Sequence, residues 1–376
     1  MRKSHLRIEA VHSKQDLRRF AFFPEELYRG NPHWVPPLWK DELKSYHKKN
    51  NPILANSEYI LLLAQKGEKI VGRNLVYVDH AFNQYYQSSI GFFGAFECIN
   101  DPEIATGLLT KTEHWLRGWG MTTVRGPIHP VAESWGFLLQ GYDSPPVFMA
   151  PFNPPYYHEL VSAQGYAKVK DLLAYQADAG GGYRIPERFT RFCGTILSRN
   201  PQLSVRRINL HRLQQDAERI WEISNIALKH NWGYVPVDRG VLQDMIKKLK
   251  PVLDPDAVWM VFDKDRAVGY CLGFPDINAI LGKIRGRLFP FGFLQLLSGI
   301  KKIRRYRLFG LAVLPEYQNR GLDVLLYVSL YNALAPRRIL LEANYILEDN
   351  FKIRNPLEKM ELCLSKVYRI YEKKLT

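Results

Sequence analysis

One arrangement of segments occurs twice along this chain of 376 residues. In each half, two β-rich runs surround a short polar turn, at residues 58–80 and again at residues 256–278. A further strand, a helix and another strand follow each of these predicted hairpins, with the helices expected at residues 101–119 and 319–334. The duplication predicts an α+β fold of two tandem domains, each a mixed central sheet flanked by helices. The alternative is one large mixed sheet.

Apolar residues at helical spacing support both central helices. Residues three and four positions apart lie on one face of a helix, and apolar residues recur at that spacing in each segment. The two faces comprise Ile104, Leu108, Leu109, Trp115 and Leu116 in the first helix, and Leu322, Leu325, Leu326, Leu330 and Ala333 in the second.

A glycine-rich stretch separates the two halves. Residues 177–189 read ADAGGGYRIPERF, in which three successive glycines and a proline interrupt the periodic pattern on either side. Glycine and proline are typical of turns and linkers. We therefore expect a first domain at residues 1–178, a linker at residues 179–204 and a second domain at residues 205–376.

Composition restricts the class of protein and its partners. Hydrophobic residues make up 46% of the chain and charged residues 24%, as in globular proteins. The four cysteines have no paired spacing, which favours the reducing cytoplasm and predicts no metal site. No stretch approaches the ~20 apolar residues that cross a bilayer. The net charge of +15 favours anionic partners such as acidic proteins, lipid headgroups and phosphorylated substrates.

A candidate phosphate-binding turn lies in the second half. Residues 313–326 read VLPEYQNRGLDVLL, the end of a strand, a tight turn and the start of a helix. A helix N-terminus offers unpaired backbone N–H groups and a partial positive charge, which bind phosphate. The turn resembles the acyl-CoA pyrophosphate loop of the GNAT acyltransferase superfamily, whose pattern is Gln/Arg-x-x-Gly-x-Gly/Ala. Gln318 and Gly321 match this pattern, and Asp323 stands where it has glycine or alanine.

The resemblance implies that this half binds the phosphopantetheine thioester of acyl-CoA or of an acyl carrier protein. Asp323 would repel the diphosphate of coenzyme A more than the single phosphodiester of a carrier protein. Carrier proteins are acidic, which suits the net charge of +15. The donor-binding residues that the resemblance implies are Leu311, Val313, Gln318, Asn319, Arg320, Gly321, Leu322, Asp323 and Asn350.

A second stretch, residues 345–360, resembles the strand-to-helix region that follows in the superfamily. Asn350 matches an asparagine found near the pantetheine arm. The superfamily often has a tyrosine seven positions later as the general acid for the leaving thiolate, and this chain has Leu357 there. Glu361 replaces the glycine that usually follows Glu-Lys-Met. The general acid must therefore be another residue.

Other phenols and carboxylates supply the catalytic candidates. Tyr345, Tyr368 and Tyr371 are the available phenols for the general acid. Glu348 and Asp349 are candidates for the base that accepts the amine proton, because a carboxylate can serve when burial raises its pKa. Capping of the following helix explains Asp349 equally well.

The corresponding turn of the first half lacks the phosphate-binding features. Asp101 is a favoured N-cap, Pro102 suits the first helical position, and Glu103 adds a further negative charge. The first domain is therefore predicted to be a degenerate GNAT-like domain that acts as a wall of the acceptor pocket or as a scaffold. Residues 134–157, rich in proline and aromatic residues, either line an apolar pocket or pack on a sheet.

The same resemblance implies the acceptor contacts and the reaction. Acceptors in the superfamily tend to meet the early helices, which points to Asn231, Trp232 and Tyr234. The implied reaction is the transfer of an acyl group to a primary amine, and the charge and apolar content favour a long-chain donor and a lipid amine. The alternative is an inactive GNAT-like protein that binds an acyl ligand, an anionic membrane or an acidic partner.

Residues 282–307 form an insertion without acidic residues. Its centre has apolar residues at helical spacing, which is consistent with an interfacial helix at the inner membrane face, a cover over an acyl tunnel, or a plain core helix. Nucleic acid ranks below lipid or carrier protein, because no zinc-finger, RNA-recognition or helix-turn-helix signature is present. The insertion comprises the apolar residues Phe293, Leu296, Leu297 and Ile300 and the basic residues Lys283, Arg285, Arg287, Lys301, Lys302, Arg304, Arg305 and Arg307.

Overall fold

The computed structural model describes residues 5–130, 134–240, 242–243, 246 and 250–375. Its strands, in chain order, are β1 (Leu6–Ala10), β2 (Ser57–Lys66), β3 (Lys69–Asp79), β4 (Ile90–Cys98), β5 (Thr123–Gly126), β6 (Phe137–Gln140), β7 (Ala167–Asp178), β8 (Leu203–Arg207), β9 (Val258–Asp263), β10 (Arg266–Pro275), β11 (Arg305–Val313), β12 (Leu340–Leu347) and β13 (Cys363–Lys374). Its α-helices are α1 (Lys14–Leu27), α2 (Trp39–Ser45), α3 (Pro52–Ala55), α4 (His80–Tyr86), α5 (Pro102–Gly118), α6 (Tyr157–Ser162), α7 (Glu187–Arg199), α8 (Leu213–Ala227), α9 (Asn278–Ile284), α10 (Gly292–Ile300), α11 (Leu322–Leu334) and α12 (Phe351–Lys359).

The chain divides into two compact units. They are Met1–Leu172 with Asn278–Leu296 and Lys366–Thr376, and Leu173–Ile277 with Leu297–Ser365. These limits differ from the predicted domains at residues 1–178 and 205–376, because most of β13 pairs with β5 and β6 in the first unit. The predicted linker, residues 179–204, contains α7 and belongs to the second unit.

A mixed sheet organises the first unit. Its strands follow the order β1-β2-β3-β4-β5-β13-β7, and β6 pairs with β13. β4 and β5 are parallel, whereas the β2–β3 hairpin and its neighbours are antiparallel. Ile104, Leu108, Leu109 and Leu116 of α5 are completely buried in the core of this unit. The predicted apolar face of this helix is thereby confirmed, with Trp115 partly buried beside it.

The second unit repeats the plan with the strand order β7-β12-β11-β10-β9-β8. β11 and β12 are parallel, whereas β8–β9, β9–β10 and β10–β11 are antiparallel pairs. The Ser224 hydroxyl of α8 lies 2.7 Å from the Tyr270 hydroxyl of β10, and the Cys271 thiol donates to the Leu326 carbonyl of α11 at 3.5 Å. Because successive strand side chains point to opposite faces, α8 and α11 lie on opposite faces of this sheet.

The insertion forms α9 and α10 but does not form a core helix. Gly292 is the buried residue of α10, whereas Phe293 and Leu297 are exposed and Leu296 and Ile300 are half-buried. The predicted helical spacing is confirmed, and the core-helix interpretation is wrong because the apolar face meets solvent. Within the described ranges, the model contains no helix with the length and hydropathy required to cross a membrane.

In the first unit, the chain itself fills the space beyond the parallel β4–β5 ladder. That ladder pairs residues 90–92 with residues 123–125. Beyond it, the Ile128 N–H donates to the Phe93 carbonyl at 2.8 Å. A Cβ atom on Gly94 would lie 2.5 Å from the Ile128 carbonyl oxygen. The segment at Ile128, which we call the filling segment, therefore packs directly against the backbone of β4.

Replacement of Gly94 tests this close packing. Gly94→Ala is expected to lower the free energy of unfolding by about 1–3 kcal/mol, because a strand or the filling segment must move. Gly118→Ala is the matched control, since nothing lies within 4 Å of the added methyl at the end of α5. It is expected to be neutral or to stabilise by up to about 1 kcal/mol. Denaturant unfolding measures both values, and equal stability of the two variants would contradict the packing described.

Candidate active site

The parallel strands β11 and β12 of the second unit pair over only part of their length. Their ladder extends from Arg305 opposite Leu340 to Leu308 opposite Ala343. In the antiparallel β10–β11 ladder, Phe309 is an extra residue at a register shift, and such bulges bend a strand. The bulge therefore coincides with the end of the parallel ladder. We call residues 309–313 and 344–347, which continue beyond it, the strand gap.

A buried network of charges and amides lies where the ladder ends. Glu342 is completely buried and accepts from Arg305 Nη2 at 3.1 Å and from Asn344 Nδ2 at 3.0 Å. Asn344 Oδ1 accepts from Arg307 Nε at 2.6 Å. Arg305 Nε also lies 3.5 Å from a carboxylate oxygen of Asp276. We predicted Arg305 and Arg307 among the basic residues of the insertion. In the structure both residues belong to β11, where they pair with Glu342 and Asn344. A charged side chain in an apolar strand needs such partners.

The predicted phosphate turn has the backbone geometry of a tight strand-to-helix connection. A 3₁₀ turn at Pro315–Tyr317 follows β11. Asn319 and Gly321 then adopt positive φ angles of 59° and 75°, and α11 begins at Leu322. Gly321 occupies the N-cap, and because it has no side chain it cannot cap the first N–H groups. Those groups are left to other acceptors.

Asp323 lies in the first turn of α11, beside these N–H groups. Burial raises the pKa of this carboxyl group, and the neighbouring backbone N–H groups of Asp323 and Val324 oppose the rise. The carboxyl group therefore lies at the helix N-terminus at which a donor phosphate is predicted to bind.

Helix α7 covers one side of the turn. A Cβ atom at position 321 would lie 2.5 Å from Phe192 Cε1 and 2.9 Å from Ile196 Cδ1, so only glycine permits this approach. Cys193, between them in sequence, is buried, and burial together with the charge of Asp323 raises its pKa to about 11. The sequence did not predict this contact, because residues 179–204 were interpreted as a linker.

Two cationic side chains lie at the turn. Gln318 Nε2 donates to the Val313 carbonyl at 3.1 Å, and Lys352 Nζ donates to Gln318 Oε1 at 3.2 Å. The guanidinium of Arg320 lies 5.1 Å from the centre of the Tyr317 ring. Lys352, in the first turn of α12, was not among the predicted donor residues. Its position two residues after Asn350 is the only sequence signal for it.

The remaining predicted donor and catalytic residues lie in different surroundings. Leu311 is half-buried at the strand gap, and Asn350 is the N-cap of α12, although its side chain accepts no cap hydrogen bond from the described backbone. Tyr345 is half-buried, with the Arg307 guanidinium 5.2 Å from its ring centre. Glu348 follows β12 and is half-buried.

Tyr368 belongs to the first unit, where it is completely buried opposite Leu138 of β6. Tyr345 and Glu348 share the second unit with the phosphate turn, and Tyr368 does not. The assignment of all three as catalytic residues stays a prediction.

The predicted acceptor contacts form a loop that folds back on α8. The Tyr234 hydroxyl donates to Asn225 Oδ1 at 2.7 Å, and the Tyr234 N–H donates to the Asn231 carbonyl at 3.1 Å. Asn231, Trp232 and Tyr234 are all half-buried. This loop follows α8, which lies on the face of the sheet opposite α11. An acceptor bound at the loop would therefore reach the strand gap from the α8 face.

The corresponding helix start in the first unit is occupied by the protein's own charges. The Asp101 carboxylate accepts from the Glu103 N–H at 3.0 Å. Lys66 Nζ lies 2.8 Å from Asp101 and 2.7 Å from Glu103. This arrangement satisfies the N-terminus of α5 without a ligand. In the described parts of the chain, no group of three or more His, Cys, Asp or Glu residues is arranged to hold a metal ion.

Two curated proteins resemble this chain over nearly its whole length. The bacterial ceramide synthase of Caulobacter vibrioides (strain NA1000 / CB15N) is 31% identical over 379 residues, 98% of this chain and 98% of that protein. Protein YghO of Escherichia coli (strain K12) is 30% identical over 372 residues, 96% of this chain and 94% of that protein. No protein-family model matches the chain.

A solved structure shares the fold. The tandem GNAT protein from the clavulanic acid biosynthesis pathway, in the form without AcCoA, superimposes with a TM-score of 0.57 at 11% identity and covers 99% of both chains. At this identity the likeness shows the fold alone. It confirms the predicted pair of GNAT-like domains.

The raised pKa of Asp323 predicts how stability changes with pH. In the folded state this carboxyl group binds its proton more tightly than in the unfolded chain, so stability falls as pH rises from the unfolded pKa of about 4 through the folded pKa. Asp323→Asn removes that loss. The variant is expected to gain free energy of unfolding relative to the unmodified protein as pH rises above about 4.

Denaturant unfolding at several pH values measures this gain. Asp265→Asn, at an exposed aspartate, is the control and is expected to follow the unmodified protein at every pH. A constant stability difference for Asp323→Asn across the same range would contradict the prediction.

Proposed function

We propose that this chain, which belongs to the same family as the Caulobacter bacterial ceramide synthase and YghO and has the fold of a tandem GNAT protein, is an N-acyltransferase. It moves an acyl group from a phosphopantetheine thioester to a primary amine. The observation that carries this proposal is the end-to-end match to a protein named as a ceramide synthase. A ceramide is an amide of a long-chain amino alcohol, so the proposed acceptor is a long-chain lipid amine, met in the cytoplasm or at the inner membrane face.

The donor is proposed to bind as a substrate at the turn before α11. Backbone N–H groups from Gly321 onward hold its phosphate, and Arg320 and Lys352 add positive charge. Asp323 places a negative charge in the first turn, which opposes a diphosphate more than a single phosphodiester. The acyl group of an acyl carrier protein therefore suits this turn better than acyl-CoA does.

The strand gap is proposed to hold the pantetheine arm and the thioester. Backbone groups at the Phe309 bulge, whose ladder partners are displaced, orient the thioester carbonyl. Asn350 contacts the arm, as the family resemblance implies. The acceptor amine approaches past Asn231, Trp232 and Tyr234, on the face of the sheet that carries α8.

The reaction is a direct acyl transfer. The neutral amine nitrogen attacks the carbonyl carbon, a C–N bond forms, and the C–S bond breaks. Glu348 is proposed to accept the proton that the amine loses, and Tyr345 to donate a proton to the leaving thiolate. Both residues are half-buried, and both lie in or directly after β12.

An inactive binding protein is the second candidate, and specific observations favour it. Phe192 and Ile196 cover one side of Gly321, and Asp323 places a carboxyl group in the first turn of α11. A chain in this state would bind an acyl ligand or an acidic partner without turnover.

Turnover separates the two candidates. Incubation of the purified chain with long-chain acyl-CoA or acyl carrier protein and a long-chain amino alcohol is expected to yield the N-acyl amide, detected by mass spectrometry. Tyr345→Phe is expected to lower kcat about 10²-fold with little change in KM, because it loses only the proton donor. Tyr86→Phe, at a surface tyrosine of the first unit, is the matched control. Absence of the amide with both donors would support the inactive binding protein.

The charge at position 323 predicts donor preference. Asp323→Asn is expected to raise kcat/KM for acyl-CoA about tenfold or more, because it removes repulsion from a diphosphate. The gain for acyl carrier protein is expected to be smaller, since only one phosphodiester is present. Initial rates with both donors measure the ratio, and an unchanged ratio between the two variants would rule out this role of Asp323.

A further inference from the structure

The insertion exposes three phenylalanine rings in succession. Phe289 is 80% exposed, Phe291 66% and Phe293 50%. We call these three residues the aromatic tip. All belong to the first unit, at and before the start of α10. Large apolar side chains are normally scattered singly on a protein surface, so three exposed rings within five residues of sequence indicate an interaction surface.

Residues 285–287, which precede the aromatic tip, are held against other parts of the first unit. Trp39 Nε1 donates to the Arg285 carbonyl at 3.0 Å, and the Trp39 N–H donates to the Gly286 carbonyl at 3.3 Å. Gly286 has a φ of 68°, and a Cβ atom there would lie 2.0 Å from the Pro37 carbonyl oxygen. Arg287 forms an ion pair with Glu25 at 2.9 Å. These contacts fix the backbone of residues 285–287, which lie directly before the exposed rings in sequence.

Basic residues outnumber acidic ones beside the aromatic tip. Lys283, Arg285 and Arg287 precede it in sequence and are exposed, and Glu25 pairs with Arg287. No acidic residue occurs in the sequence between Asp276 and Glu316, and the chain as a whole carries a net charge of +15. Arg305 and Arg307, which lie in β11 among their buried partners, do not contribute to this surface.

We propose that the aromatic tip inserts into the headgroup region of an anionic lipid bilayer. Exposed phenylalanines bury apolar area at such an interface, and adjacent cations are attracted by anionic headgroups. The positive charge beside the rings is complementary to an anionic membrane and is unfavourable for a contact with a second copy of this chain, which would bring like charges together. This inference goes beyond the proposed reaction and does not depend on it, because it concerns binding alone.

Vesicle flotation of the full chain tests the proposal. Phosphatidylcholine vesicles containing about 30 mol% phosphatidylglycerol are expected to bind the protein, and pure phosphatidylcholine vesicles to bind it at least about tenfold less. The combined variant Phe289→Ser, Phe291→Ser and Phe293→Ser is expected to lower partitioning to the anionic vesicles about tenfold or more. Trp119→Ser, which removes another exposed aromatic ring of the first unit, is the matched control and is expected to bind normally.

A charge variant gives a second readout. Lys283→Glu with Arg285→Glu is expected to weaken binding and to flatten its dependence on salt concentration, because two attractive charges are reversed. Thermal unfolding and size-exclusion light scattering establish that each variant is folded and report its oligomeric state.

Three outcomes would overturn the proposal. The first is equal binding of the protein to anionic and neutral vesicles. The second is unchanged partitioning of the triple serine variant. The third is a protein that binds no vesicles but self-associates in solution and becomes monomeric in the triple variant, which would make the aromatic tip an interface between copies.

Discussion

The architecture of the candidate site depends on a buried ion pair in the second unit, between Arg305 of β11 and Glu342 of β12. Glu342 is completely buried, and a buried carboxylate is stable only when its charge and its hydrogen-bonding capacity are matched. Asn344 completes the match and links Glu342 to Arg307. These contacts join β11 to β12 from the first pair of their parallel ladder to its end. The strand gap follows directly, at the Phe309 bulge.

The turn before α11 combines three constraints that act on one glycine and its neighbours. The positive φ of Gly321 forms the connection, its missing side chain admits Phe192 and Ile196, and its position at the N-cap leaves the first N–H groups to other acceptors. Asp323 lies in the same first turn. A ligand phosphate would thus share the helix N-terminus with a carboxyl group whose pKa is raised by burial.

The two units share one order of elements and differ at the start of the central helix. In the first unit, Ile128 fills the space beyond the parallel ladder, and Asp101 with Lys66 satisfies the start of the central helix. In the second unit, the strand gap follows the ladder and a glycine precedes the central helix. The difference lies in a few local substitutions rather than in the order of the elements. The Asp101 carboxylate caps α5, whereas Gly321 has no side chain to cap α11. The two helix starts therefore differ in their capacity to bind a ligand phosphate.

Local sequence patterns specify the duplicated order of elements, the apolar face of α5, and the turn from Gln318 to Gly321. These features depend on periodicity and on the conformational preferences of neighbouring residues, which are local properties of the chain. Three other features depend on long-range packing: most of β13 completes the first unit, α7 covers Gly321, and Arg305 and Arg307 lie among buried partners. Strand pairing and burial join residues far apart in sequence, and their register follows from the packing of the whole unit, so no local pattern specifies them.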